Sequence, residues 1–434
     1  MKFIYADSLD FVDPRYDFLA DRSPTDREPQ WDDEYPHEIL GYAPYSGLLV
    51  SHAIVMRGKY TLPQAMRFRL VGAREFLRFT EKKFPGTWVI GDSGAFSYHR
   101  DTEPPISVED MTEFYGEAGF THGCSVDHVI FEFDESVVGM AGGTEESRRR
   151  FEITIENARR FLASTKSLGP GFTPMGVVQG WSPDSMGCAA QKLEAMGYTY
   201  LALGGMAPLK SDAIHRCLDA IRGQIKPSTR IHVLGFAKAD NIFEFQRHNI
   251  TSFDTTSPLL RAFKDQKSNY YLPAGDEKLK YFTAIRIPQA LENLTLGRLV
   301  KSGRITQEEL LALEREALDT LRRFDRGQAD IEGTLDAVTR YSEVLLMSPH
   351  ADDASASEKK LFDIRSRYRQ TLESKPWKDC RCAICREISI EVIIFRSSNR
   401  NKRRGIHNLH VFYNHVKGLE KADTYDEQAS LFCS

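Results

Sequence analysis

Short apolar runs recur along the chain, and each is followed by a stretch of helical periodicity. FIYA (3–6), LLVSHAIV (48–55), WVI (88–90) and the run ending GCSVDHVIF (123–131) come first. MGVVQG (175–180), YLALGG (200–205), IHVLGF (231–236) and SFDT (252–255) complete the series. Between them, EESRRRFEITIENARRFLAST and PDSMGCAAQKLEAMG carry apolar residues at three- and four-residue spacings, which predicts helices. Strands alternating with helices imply a parallel sheet with crossover helices. About eight such units in roughly 260 residues match a (β/α)8 barrel better than a small doubly wound sheet.

The alternation is interrupted by residues 13–47, rich in Pro, Asp, Glu and Tyr, which read as a long loop after the first strand. It stops before ITQEELLALEREALDTLRRFD (305–325) and DIEGTLDAVTRYSEVLLM (330–347), two strongly helical segments. The expected organisation is a barrel over 1–290, a helical appendage over 291–375 and a cysteine-bearing subdomain over 376–434. At 434 residues there is ample chain for a sizeable core. The net charge of −4 restricts any nucleic-acid contact to local basic patches. No apolar run is long enough to cross a bilayer, and MKFIYADSLD meets acidic residues too early for a signal peptide. Seven cysteines, three of them crowded together, do not resemble a secreted disulfide framework, so a cytoplasmic protein with reduced thiols is expected.

Polar residues just past the C-terminal ends of barrel strands face the active-site mouth. Asp92 follows WVI, Asp127 lies inside GCSVDHV, Gln179 follows GVV, Gly204 and Gly205 follow LAL, and Asp254 follows SF. One Asp after a strand can be no more than a turn former. Three carboxylates in one mouth are another matter, because like charges raise one another's pKa and make a working acid at neutral pH.

Near the C-terminus, Cys380, Cys382 and Cys385 make C-x-C-x2-C, and GIHNLH offers His407 and His410. Three thiolates and one imidazole make a closed tetrahedral zinc site of the structural type. The other cysteines (Cys124, Cys188, Cys217, Cys433) are scattered and suit small buried positions. Between the ligands runs FRSSNRNKRRGIH, whose Arg396, Arg400, Lys402, Arg403 and Arg404 form either a solvated face or a set of phosphate contacts.

Taken in order, DSGAF (92–96), GVVQG (176–180), LALGGMA (201–207), HVLGF (232–236), FDTTSP (253–258) and CRCAIC with IHNL resemble the motifs of the tRNA-guanine transglycosylase superfamily. That resemblance implies a (β/α)8 barrel with a zinc subdomain. It implies Asp254 as the nucleophile that holds the sugar covalently, and Asp92 as the general acid/base. Asp127, Gln179, Gly204 and Gly205 would read the base edge, and His407 would complete the zinc sphere. ADSLDFVDPRYDF (6–18) and SPLLRAFKD (257–265) look like the Dpd-type branch, which inserts 7-deazaguanine bases into DNA. The expected reaction is exchange of guanine in DNA for such a base, the nitrile-bearing preQ0, with a partner ATPase in the modification system. The alternatives are the same chemistry on tRNA and a non-catalytic subunit that only binds nucleic acid; retention of both Asp92 and Asp254 speaks against the latter.

Overall fold

In a computed structural model, which describes residues 1–236, 239–274, 278–347 and 354–431, the eight apolar runs form parallel strands that close into one barrel. The strands are β1 (Lys2–Ala6), β2 (Gly47–Ser51), β3 (Trp88–Asp92), β4 (His122–Cys124), β5 (Thr173–Val178), β6 (Tyr200–Leu203), β7 (Arg230–Val233) and β8 (Ser252–Asp254). Closure comes from β1 against β8, with Phe3 opposite Phe253 and Ile4 opposite Asp254. Crossover helices begin at side-chain caps, among them Ser107 before Val108–Glu117, Thr144 before Glu145–Ser164 and Ser182 before Pro183–Met196. Among the described residues no helix is long and apolar enough to cross a membrane.

Strand parity aims the mouth residues. Alternate positions of a strand face the barrel interior. Ile4, Leu49, Ile90, Cys124, Met175, Val177, Tyr200 and Ala202 fill that interior as one buried cluster. Two residues beyond Leu49, Ile90, Val177 and Ala202 come Ser51, Asp92, Gln179 and Gly204, on the same inward face. Asp127 lies outside this scheme, because two expected strands stop early. β2 ends at Ser51 and gives way to a helical turn over Ile54–Gly58. β4 ends at Cys124, and the Ser125 hydroxyl then accepts the Val177 N–H at 3.0 Å in place of a backbone partner. Residues 125–131 therefore leave the sheet as a loop that carries Asp127.

The chain divides into two compact units. The first comprises residues 1–10, 42–257 and the chain from Val416 on, and contains the barrel. The second comprises residues 11–41 and 258–415, so the boundaries expected at 290 and 375 do not separate units. The reason is a shared core. Leu310, Leu321, Phe324, Val338 and Tyr341 of the helical segment pack in one buried cluster with Trp377, Cys382, Ile384, Ile394 and Ile406 of the cysteine-bearing segment. Val12, immediately before the early loop, belongs to the same cluster.

The basic run is also part of that interior, which corrects its reading as a phosphate-binding patch. Arg400, Arg403 and Arg404 are 0% exposed. They sit at i, i+3 and i+4 of the helix Ser398–Leu431 and so share one face. Arg400 pairs with Asp21 and Glu391 and donates to the Phe18 carbonyl at 2.5 Å. Arg403 donates to the Asp13 carbonyl at 3.1 Å and pairs with Glu387. Arg404 donates to the carbonyls of Ala262 and Val392. Arg396 pairs with Asp21 and Glu314, and Lys402 Nζ donates to the Phe11 carbonyl at 3.1 Å. These cations hold the early loop to the second unit. Arg400→Ala would take one of two arginine partners from each of Asp21 and Glu391, which keep Arg396 and Arg322, and should destabilise this unit by about 1–3 kcal/mol in urea denaturation. A loss below about 0.5 kcal/mol would mean the ion pairs do not hold the loop.

Candidate active site

One cavity of about 630 Å³ opens at the C-terminal end of the barrel. Asp92, Asp127, Gln179, Gly204, Gly205 and Asp254 all line it, so six residues from five separate stretches of sequence do meet. Asp7, Arg57, Phe96, Tyr98 and Phe131 line it too, and the sequence alone had not singled them out.

The three carboxylates differ in their surroundings. Asp92, half-buried at the end of β3, accepts the Gly94 N–H at 2.9 Å. Burial, then the charges of Asp127 and Asp254, push its carboxyl up to about 7. Asp127 is held at both oxygens, by Ser93 Oγ at 3.2 Å and by Gln179 Nε2 at 2.7 Å. Burial raises it to about 6, against the opposing pull of those two hydrogen bonds. Tyr98 supports the same group, its hydroxyl lying 2.8 Å from Ser93 Oγ and 3.0 Å from the Asp127 carbonyl. Asp254, only 6% exposed, has two side-chain hydrogen bonds among the described residues, both on Oδ1: His232 Nε2 at 3.1 Å and the Gly235 N–H at 3.0 Å.

Gln179 is fixed at its other end by the Ile130 N–H, which reaches Oε1 at 3.3 Å. Its place depends on glycine at 204, where a Cβ would lie 2.2 Å from Gln179 Nε2. The Gly204 N–H bonds to the Val178 carbonyl at 3.0 Å, so of the two expected backbone donors that one is already engaged in the sheet. Gly205, at φ +71°, turns the chain away from the strand. The HVLGF stretch holds both partners of Asp254, His232 and Gly235, although only its pattern had drawn notice in the sequence.

In the second unit, Cys380, Cys382, Cys385 and His407 gather with their ligand atoms within 4.8 Å of one another, a group that can hold a metal ion. His407 Nδ1 lies 3.4, 3.5 and 3.3 Å from the three Sγ atoms in that order. A tetrahedral ion with metal–sulfur bonds of about 2.3 Å and metal–nitrogen bonds of about 2.0 Å needs edges of roughly 3.5 Å, so the donors fit. The His407 Nε2–H donates to the Tyr271 carbonyl at 2.8 Å, which leaves Nδ1 free to ligate. Tyr270 stacks on the imidazole, with ring centroids 4.0 Å apart. His410 is half-buried outside the cluster, its ring nitrogens 3.5 and 3.4 Å from Asn414 Nδ2. Cys124 and Cys217 are buried and Cys188 is half-buried, while Cys433 lies outside the described residues.

Asp92 also allows a stability test. Its folded pKa is raised, so the folded state keeps a proton that the unfolded state releases from about pH 4 upward. Stability is therefore lost as pH climbs from about 4 to 7 and stays low above that. Asp92→Asn should raise stability by on the order of 1–2 kcal/mol at pH 8, discounted for water in the open cavity, and by almost nothing at pH 4. Equal effects at both pH values in thermal melts would contradict the assigned environment.

No protein-family model matches the chain. A DNA-guanine transglycosylase of Salmonella montevideo is 39% identical to it over 423 residues, covering 96% of this chain and 97% of that protein.

Proposed function

The chain belongs to the DNA-guanine transglycosylases, and from that membership we propose that it exchanges guanine in DNA for a 7-deazaguanine, preQ0, through a glycosyl intermediate on Asp254. The observation that carries the mechanism is that Asp92 and Asp254 line one cavity with the Asp127–Gln179 pair. The cavity falls in the size range of small-molecule sites and can enclose a purine. Phe96 and Phe131, edge to face with centroids 6.0 Å apart, offer aromatic surface to a planar base.

A base cannot be reached while it is stacked, so the nucleotide enters extruded from the helix. The Asp254 carboxylate attacks C1′, the C1′–N9 bond breaks, and its electron pair leaves with guanine. Asp92, with its carboxyl near neutrality, delivers the proton that the departing base needs. The incoming base returns a proton to Asp92, attacks C1′ and expels Asp254, so the anomeric configuration is retained over two displacements. Asp127, Gln179 and the Gly205 backbone are matched to guanine's amino, ring N–H and carbonyl groups. A partner ATPase, implied by the family resemblance, is part of this proposal and enters the assay as a separate component.

Zinc is the ion we infer for the Cys3His group, because four donors close its sphere and leave no position for a reacting water. Its role is then structural. Freshly purified protein should contain one zinc per chain by elemental analysis, and Cys382→Ser should lose it and unfold the second unit at lower urea. Full metal retention in Cys382→Ser would refute the ligand set.

The substrate is tested by incubating the protein, with and without the partner, with labelled preQ0 and either duplex DNA or tRNA. Label should enter DNA alone, and Asp254→Asn should lower incorporation by at least about 10³-fold. Label in tRNA with none in DNA would overturn the DNA assignment.

A further inference from the structure

A line of buried side chains runs behind the Asp254 carboxylate. Tyr200 Oη lies 2.6 Å from Ser252 Oγ, and Ser252 Oγ lies 2.6 Å from His232 Nδ1. His232 Nε2 then lies 3.1 Å from Asp254 Oδ1. Tyr200, Ser252 and His232 are each 0% exposed. Strand register puts them there: Ser252 and Asp254 share one face of β8, and His232 of β7 stands opposite Ser252.

With Asp254 ionised and His232 neutral, the donors run in one direction only. The carboxylate has no proton, so His232 Nε2–H must donate to it. A neutral imidazole then has a bare Nδ1, which accepts the Ser252 hydroxyl proton. The Ser252 oxygen in turn accepts from Tyr200, whose phenol stays protonated because burial pushes it up to about 12. Every buried polar atom of the line is satisfied in this arrangement, and an unsatisfied one would be costly.

We propose that His232 is a positioning residue for the nucleophile, holding Asp254 by Oδ1 so that Oδ2 attacks the sugar. The proposal rests on Asp254 being the nucleophile. In the first half-reaction the Oδ2–C1′ bond forms as C1′–N9 breaks, and the electron pair leaves with guanine. Oδ1 becomes the ester carbonyl oxygen, still held by His232 Nε2–H and the Gly235 N–H. When the incoming base attacks C1′, the C1′–Oδ2 pair returns to the carboxylate, and those two donors stabilise the charge that develops there. The same pair of N–H groups therefore serves both displacements. No proton moves along the line.

The charges and titratable groups around Asp254 and His232 set the pH dependence. Asp92 and Asp127 face Asp254 across the cavity, Asp7, Asp101 and Arg57 also line it, and Cys124 lies in the barrel interior. On the His232 side, His122 and Arg230 are close enough to act on one another. Asp254 stands among other carboxylates, and removing a hydrogen-bond donor from a carboxylate disfavours its charged form.

The test compares wild type, His232→Phe, His232→Gln, Ser252→Ala and Asp254→Asn in single-turnover assays from pH 5 to 9, with circular dichroism to verify folding. His232→Phe keeps the bulk and removes the donor. It should slow both formation and resolution of the protein–DNA adduct by about a hundredfold, and move the acidic limb of formation up by about one pH unit. His232→Gln, which restores a donor near the Nε2 position, should recover at least about tenfold of that loss. Ser252→Ala should move the limb in the same direction by less, and this variant carries the test if His232→Phe does not fold. Unchanged rates and pH profile in folded His232→Phe, or in Ser252→Ala where His232→Phe does not fold, would overturn the role of His232. Exchange that survives in Asp254→Asn would instead overturn the nucleophile assignment beneath it.

Discussion

Asp92, Asp127 and Asp254 face one cavity at the barrel mouth, with Asp7 and Asp101 also in its lining, and their mutual repulsion is the constraint to which the surrounding groups respond. Each ionised carboxylate raises the cost of ionising the next, the more so where water is excluded. The neighbouring donors are distributed unequally. Asp127 takes hydrogen bonds from Ser93 and Gln179, and Asp254 takes two on a single oxygen. Asp92 has only backbone N–H groups, from Gly94 and Ser93, and sits highest of the two carboxyls whose position is raised. One mouth thus holds a carboxyl able to give a proton beside a carboxylate anchored for attack. The barrel supplies the arrangement cheaply, because strand period alone turns Asp92, Gln179 and Asp254 inward.

Much of this was legible in the sequence, for a physical reason. Barrel strands are short, and each carries its chemistry at a fixed place relative to an apolar run, so WVI-Gly-Asp and SF-Asp announced both strand and rim. Asp127 was legible as a residue but not as a loop residue: GCSVDHVIF is apolar enough to pass for a longer strand, yet side chains take the place of sheet partners at Ser125, His128 and Ile130. His232 was visible inside HVLGF, yet nothing in a single sequence says that an imidazole will reach a carboxylate 22 positions later. The metal ligands were the clearest case, since three cysteines within six residues already constrain one another in space.

The basic run was misread because a charge run and a buried ion-pair network look alike until the partners are known. Asp21 lies 379 positions before Arg400, and no local pattern links them. The spacing of Arg400, Arg403 and Arg404 did mark one helical face, but not whether that face met water or protein. It meets protein: the guanidinium groups replace water for backbone carbonyls and acids of residues 11–41 and 258–395, which is why the early loop belongs to the second unit. Arginine suits this work because its planar fork can serve several acceptors at once.

The central claim is that the sugar is carried on Asp254, and it can be observed directly. The protein is mixed with guanine-containing DNA in the absence of any incoming base, quenched in acid and digested, and the peptides are sequenced by mass spectrometry. The account predicts a deoxyribose–phosphate mass addition on the peptide of β8, localised to Asp254 and released when base is added before the quench. The same addition found on Asp92, Asp127 or any other residue, or active enzyme that forms no adduct at all, would contradict it.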